Sequence, residues 1–338
     1  MKSRRLLMGV VGVVVLLVAG ILAYRHWRSV ELMSSREEML ALLPSEPTAV
    51  AFVDLGQFRS SAFLPQLLAW APSFVVEEEY VKFVQATGFN YERDLDRVAI
   101  AFTRREANST VFAVADGRFD RKKIEAYVGR AGQRLGEKNK AVFALDLKNS
   151  GRKTFLTFLR DDRMAWTNDL GYAVLFKQAA SFEGQREWQE HYARLAGSAL
   201  FVVTRQDAGT TGILARQAPG GFRSPQLATL LSQLEWITIG GKPEGNDLRV
   251  VMEGECSTET TIRQLKEFLG GILLLAQAGL NGPQNRKQMD PQLREAYLGL
   301  LKTTEVETVD RGAEKSVRVV MAVTPGFLEA VKKAGAGQ

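Results

Sequence analysis

The sequence predicts an α+β fold: two similar lobes of antiparallel sheet with helices packed on one face, in a ferredoxin-like element order, preceded by one transmembrane helix. Three observations predict it. Short β-branched and aromatic runs recur between amphipathic helical stretches, the pattern of antiparallel sheets with segregated helices. Both halves of the chain repeat one order: strand, helix, hairpin, capped helix, then more strands and a closing helix. The run Leu6–Tyr24 carries no charge, and as a helix it crosses most of a hydrocarbon core about 30 Å thick.

That run is the expected membrane anchor, with Leu6, Val14, Leu17 and Tyr24 along it. Inside lipid it has to be helical, because each backbone N–H and C=O must find an internal partner. Lys2, Arg4 and Arg5 precede it, while Arg25 and Arg28 follow. The excess on the leading side places the amino terminus in the cytoplasm and the remainder in the periplasm or outside. The run exceeds the apolar region of a cleaved signal peptide, about 7–15 residues, and no clean Ala-x-Ala site follows. An uncleaved signal anchor of a single-pass inner-membrane protein is the expectation, with Val18-Ala19-Gly20 as the rival cleavage point.

Residues 1–28 thus form a cytoplasmic tip and anchor, and 29–46 a connector whose helix opens at the capping box Ser35-x-x-Glu38 and stops before Pro44 and Pro47. A first lobe spans 47–182. Thr48–Asp54 is a buried strand, and helices are expected at 63–70 and 77–87, the latter stopped by Gly88. Strands at 97–103 and 110–115 flank the polar turn 104–109. Asp120 caps a helix ending near Gly132, strands follow at 141–147, 154–159 and 164–167, and a helix over 170–180 closes the lobe. Residues 183–197 read as a charged linker helix.

The second lobe, 198–338, opens with a buried strand over 198–204 and a long loop over 206–223. Ser224 caps a helix carrying Leu227, Leu230, Leu231 and Leu234. Strands at 235–239 and 248–253 form a hairpin across Gly240–Asn246, a stretch with the composition of a turn. Ser257 caps a helix over 258–278, 281–288 is a break, and Pro291 starts another helix. A hairpin of 306–309 with 317–323 and a helix after Pro325 end the chain.

Five of the 44 Lys and Arg residues lie before position 29, where there is no acid; the remaining 39 face 38 acids. The basic balance is therefore a topology signal, and no nucleic-acid partner is expected. Cys256 is the single cysteine, so no internal disulfide can form, and neither of the two histidines, His26 and His191, makes a recognisable nucleophile pair with it. There is no His-Glu-x-x-His, Cys-x-x-Cys, EF-hand or Gly-x-Ser-x-Gly motif, and no metal or cofactor is expected. Gly240-Gly241-Lys242 lacks the rest of a phosphate loop, with Trp236 where its first glycine belongs and Pro243 where the hydroxyl belongs. Glu77–Glu79, Asp161-Asp162, Asp94 with Asp96, and Asp54 are carboxylates open to acid–base or cation work, with solvated charge as the plainer reading.

Two stretches stand out as interaction surfaces. The helix after Ser257 carries Leu265, Phe268, Leu269, Ile272 and Leu273, followed by Leu274 and Leu275, more apolar surface than one stripe needs. The loop 206–223 holds Gly220, Gly221 and Phe222, and long loops in compact domains are often functional.

The span, followed by Leu43-Pro-Ser-Glu-Pro47 and the strand ending Val53-Asp54-Leu55, resembles uncharacterised membrane-anchored bacterial envelope proteins. That resemblance implies a duplicated α+β exterior with no assigned activity. A weaker likeness is to the inner-membrane assembly proteins of type IV pili and type II secretion, which place ferredoxin-like domains after one span. Three readings follow: a non-enzymatic scaffold or binding module with a protein partner in the envelope; a carrier of lipid or another apolar ligand using the 262–280 surface; or an envelope hydrolase, in which carboxylates would gather with Tyr172, Asn168 or Lys242.

Overall fold

A computed structural model describes residues 35–61, 63, 78–105, 108–135, 141–147, 152–175, 186–206, 229–256, 258–312 and 315–336. The predicted anchor residues Leu6, Val14, Leu17 and Tyr24, and the loop residues Gly220, Gly221 and Phe222, lie outside them. Among the described residues no helix is long and apolar enough to cross a membrane. The chain divides into two compact units, 1–42 and 43–338. In the first, α1 covers 35–41, as the capping box predicts.

The second unit starts with β1 (Ala49–Asp54), α2 (Leu55–Arg59), α3 (Glu78–Thr87) and α4 (Tyr91–Asp94). A hairpin of β2 (Leu95–Arg105) and β3 (Asn108–Gly117) leads into α5 (Arg121–Ala131). Asp120 caps α5 by accepting from the Lys123 N–H at 3.1 Å. Then come β4 (Gln133–Leu135), β5 (Val142–Leu147), β6 (Arg152–Arg160), β7 (Arg163–Thr167), α6 (Leu170–Leu175) and α7 (Arg186–Arg194). The later part runs β8 (Leu200–Arg205), β9 (Trp236–Glu244), β10 (Asp247–Cys256), α8 (Glu259–Asn281), α9 (Pro283–Gln288), α10 (Pro291–Lys302), β11 (Glu305–Asp310), β12 (Lys315–Val323) and α11 (Pro325–Ala336).

Among the described residues all the strands join one antiparallel sheet of 12, in the order β11-β12-β10-β9-β8-β1-β2-β3-β7-β6-β5-β4. The expected α+β class with antiparallel pairing is present, but the two halves share one sheet where a sheet per lobe was expected. The reason is β1 and β8: each is a first strand, and they pair antiparallel with Phe52 opposite Phe201. The two rings stack with centroids 5.3 Å apart, and both residues are buried. From that seam the neighbours run β1-β2-β3-β7-β6 one way and β8-β9-β10-β12-β11 the other, so each strand of one half has a counterpart, with β4–β5 added at the first edge. The exposed acids Glu305, Glu307 and Asp310 on β11 discourage pairing of the other edge with a second sheet.

Helices cover both faces, and this corrects the one-face expectation. On one face α5 packs its Ile124 and Val128 against Phe143 and Phe158. On the same face α8 packs Ile262 and Leu265 against Cys256 and Val317, while α2 and α11 bring Phe58 and Leu328 onto Leu248. The opposite face takes α6, whose Ala173 meets Val142 and Phe155, and α7. The charged look of α7 hid Trp188, His191 and Tyr192, which fall on one side of a helix at i, i+3 and i+4. Trp188 and His191 meet Trp236 at 4.8 and 4.2 Å between ring centroids, and Tyr192 meets Phe201 at 5.8 Å.

A second correction concerns Gly240–Asn246. Only Gly245 and Asn246 turn; Gly240 and Gly241 are in β9, within the ladder to β8 and β10. Glycine is needed there for close approach: a Cβ on Gly240 would lie 2.9 Å from Leu195 and Ser198, and one on Gly241 2.8 Å from Leu200. The break at 281–288 is the helix α9, with Pro283 at its start.

Candidate functional site

Side chains alternate across a strand, so the register sorts the sheet into two faces with different chemistry. One face buries ion pairs. Asp54 meets Arg97 at 3.2 Å across β1–β2 and also accepts from the Gln57 N–H as the cap of α2. Asp116 takes Arg163 in a two-pronged pair of 2.6 and 2.8 Å across β3–β7. Glu253 accepts from Arg311, from Arg318 at 3.2 Å and from Ser316 at 2.5 Å. Glu255 takes Arg194 of α7 at 2.6 Å, and His191 stands 3.3 Å from the same oxygen.

Each of these four carboxylates is held by an arginine. Burial alone would push the Glu253 carboxyl up. Hydrogen bonds from Arg311 and Ser316 and the charges of Arg311 and Arg318 outweigh it and hold the group at about 2. Asp94 is likewise held at about 2, first by its hydrogen bond from Arg93 and against some burial, while Asp96 pairs separately with Arg59 at 2.5 Å. Asp161 and Asp162 pair with Arg121 and Arg160 near the surface. Asn168 is spent on the Val111 N–H and the Ser109 carbonyl, and Lys242 leans toward Glu244 on the far half of the sheet. The side chains of Tyr172, Glu78 and Glu79 lie outside the described set. Among the described residues no three metal-ligating side chains come together.

The other face carries the candidate site. Following the register, Leu156, Trp166, Ala113, Ile100, Ala51, Val202, Ile239, Met252, Val319 and Val306 stand opposite one another in a single row across the sheet. Every one is apolar and only half-buried. Beside Ile100, Phe102 is 42 % exposed. At its two ends the row runs under helices: Leu156 joins the cluster beneath α5, and Val306 the cluster beneath α8. A third cover, α2 with α11, occupies the neighbouring row at Val53 and Leu200. From β7 to β9, six strands wide or roughly 24 Å at about 4.8 Å per gap, the row forms an apolar strip reached by solvent.

The predicted surface residues of α8 divide. Leu265 is buried beside Ile262, and Phe268 and Leu269 pack against the same cluster. Ile272 and Leu273 are half-buried, whereas Leu274 and Leu275 are 69 % and 74 % exposed. Sequence reading overlooked the strip because it pooled residues within one helix. The strip takes one residue from each strand, and only the period-two alternation with the correct register brings them together.

No family model matches the chain, and no curated protein does. Among solved structures it is similar to three crystal forms of the Treponema protein TP0453. Form IV gives a TM-score of 0.48 at 7 % identity over 87 % of this chain and 95 % of that one. Form III gives 0.46 at 8 % over 87 % and 96 %, and form I 0.47 at 7 % over 88 % and 96 %.

Proposed function

We propose that the chain is a non-enzymatic, membrane-anchored envelope protein whose body binds an elongated apolar ligand, such as a lipid acyl chain, along the strip. In this reading the segment 6–24 holds the protein in the inner membrane with its amino terminus in the cytoplasm and its two similar halves, copies of one unit, outside. The half-exposed apolar row from Trp166 to Ile239 carries the reading. Each methylene laid on it from water contributes about 0.8 kcal/mol, so a long chain gains what a small polar ligand cannot. The carboxylates sequestered by arginines favour binding over hydrolysis.

The test is crosslinking of a photoactivatable fatty acid in native membranes, with the labelled peptides mapped by mass spectrometry. Labels in β1, β2 and β8, lost in Phe102→Glu, are expected; Phe102 already reaches solvent, so the charge leaves the fold in place. Labels confined to 6–24 in the native protein would refute the strip.

A further inference from the structure

The outer half of α8 is built unlike its inner half. Through Leu269 the helix lies on the sheet. Beyond it, Gly271, Leu274, Leu275 and Ala278 follow the i, i+3, i+4, i+7 spacing of one helix face, and all four are exposed. From Phe268 to Asn285 the sequence holds no charged residue, and the first charges after it are Arg286 and Lys287 on α9, both exposed. The next acid, Asp290, is engaged as the cap of α10, accepting from the Leu293 N–H at 2.9 Å.

A bare apolar stripe ending in a cationic pair, with no acid between them, has the chemistry of a segment lying in an anionic bilayer interface. The leucines suit the acyl boundary and the two bases the headgroup phosphates. The helix is too polar overall to cross a membrane, which fits a surface position. We propose that the outer half of α8 together with α9 is a docking surface for an anionic lipid bilayer. This contact is separate from the strip and does not depend on it.

The test uses the full chain carrying Ala278→Cys, labelled with a polarity-sensitive fluorophore; the native thiol of Cys256 is buried, so labelling falls on the introduced one. The protein is reconstituted into vesicles of pure phosphatidylcholine or of phosphatidylcholine with phosphatidylglycerol. On the anionic vesicles the emission should shift to the blue, become quenchable by spin-labelled lipid and lose quenching by aqueous iodide. Arg286→Gln and Lys287→Gln should each lower that partition roughly fivefold. Leu274→Gln with Leu275→Gln should lower it more than about tenfold, with no change in the unfolding midpoint, since both side chains already face solvent. A probe still open to iodide on anionic vesicles overturns the proposal. So does a probe shielded by self-association, seen as concentration-dependent energy transfer without lipid quenching, or one shielded before any lipid is added.

Discussion

In the first half of the sheet Asp116 of β3 faces Arg163 across β7; in the second, Glu253 of β10 faces Arg318 across β12. By strand order these are counterpart places, and the sequence after each acid agrees. Gly117 and Gly254 come next, and a helix begins at Arg121 or Glu259. Both glycines make room for the chain just ahead of the hairpin's first arm: Gly117 for the Asp94 carbonyl, Gly254 for the Leu234 side chain. The arrangement is shared, but its surroundings differ. The Arg163 side chain is 4 % exposed, whereas Arg318 is 30 % and its helper Arg311 27 %. A sealed pair depends on its partner, while an open one has water as a substitute.

The largest expected effect follows from that contrast. Asp116→Asn removes the charge that faces a buried guanidinium and should cost about 3–5 kcal/mol. Glu253→Gln leaves two arginines that reach solvent, and should cost roughly 2 kcal/mol. Urea unfolding followed by tryptophan fluorescence measures both, with Trp166 in the first half and Trp236 in the second as reporters. Equal losses would show that the difference in exposure does not matter.

Next come the glycines. An alanine at Gly117 runs into backbone at Asp94, which cannot move without shifting the start of β2, and should cost about 3 kcal/mol. At Gly254 the obstacle is the end of a leucine side chain at 2.8 Å, which can rotate, so about 1 kcal/mol is expected. The same denaturation series ranks the two, and a reversed order would mean that the counterpart assignment is wrong.

The pH dependence is smaller. Glu253 is held at about 2, below its ordinary 4.5, so the folded form binds this proton less readily than the unfolded form. Its contribution is complete above pH 4.5 and is lost as the pH falls toward 2. Full conversion at about 1.4 kcal/mol per pH unit overstates the loss, because the arginines are partly hydrated; of order 1–2 kcal/mol is expected. Stability measured from pH 5 to pH 2 should fall less steeply in Glu253→Gln than in the native protein. Parallel curves would mean that Glu253 does not contribute to acid sensitivity.

Most of this architecture was legible in local pattern. The Asp120 cap, the helix start at Pro291, the run Thr48–Asp54 and the hairpin of β11 with β12 each follow from a few neighbouring residues. Long-range matters were not. That β1 would pair with β8 depends on two strands far apart in sequence, and nothing in either one names its partner. Gly240 and Gly241 read as a turn because glycine has two uses, φ freedom and closeness, and only the position of Leu195 and Leu200 decides between them. His191 and Trp188 were masked by the charges around them in α7. The strip was invisible for the same reason as the β1–β8 seam, since register assembles it from residues that are each unremarkable.

The smallest effect separates α5 from α8. The apolar side of α5 is fully engaged, and a Cβ on its Gly129 would meet the Phe143 ring at an ordinary 3.5 Å. In α8, Gly270 and Gly271 have nothing within 4 Å of a built Cβ. Neither has a packing reason to be glycine, and each lowers helix stability by about 1 kcal/mol relative to alanine. Gly270→Ala and Gly271→Ala should therefore each stabilise the protein by up to about 1 kcal/mol in urea, and should slow amide exchange over 272–281 more than over 259–269. The buried residues of α8 all lie in its inner half, while the outer half is held by its own propensity and by α9 and α10, through bonds from the Asn285 amide to the Gly279 carbonyl at 2.8 Å and from the Gln277 amide to the Leu301 carbonyl at 3.2 Å. A loss of stability in either variant would mean that the glycine face is pressed against another surface, and α8 would then have to be redrawn as a packed helix along its whole length.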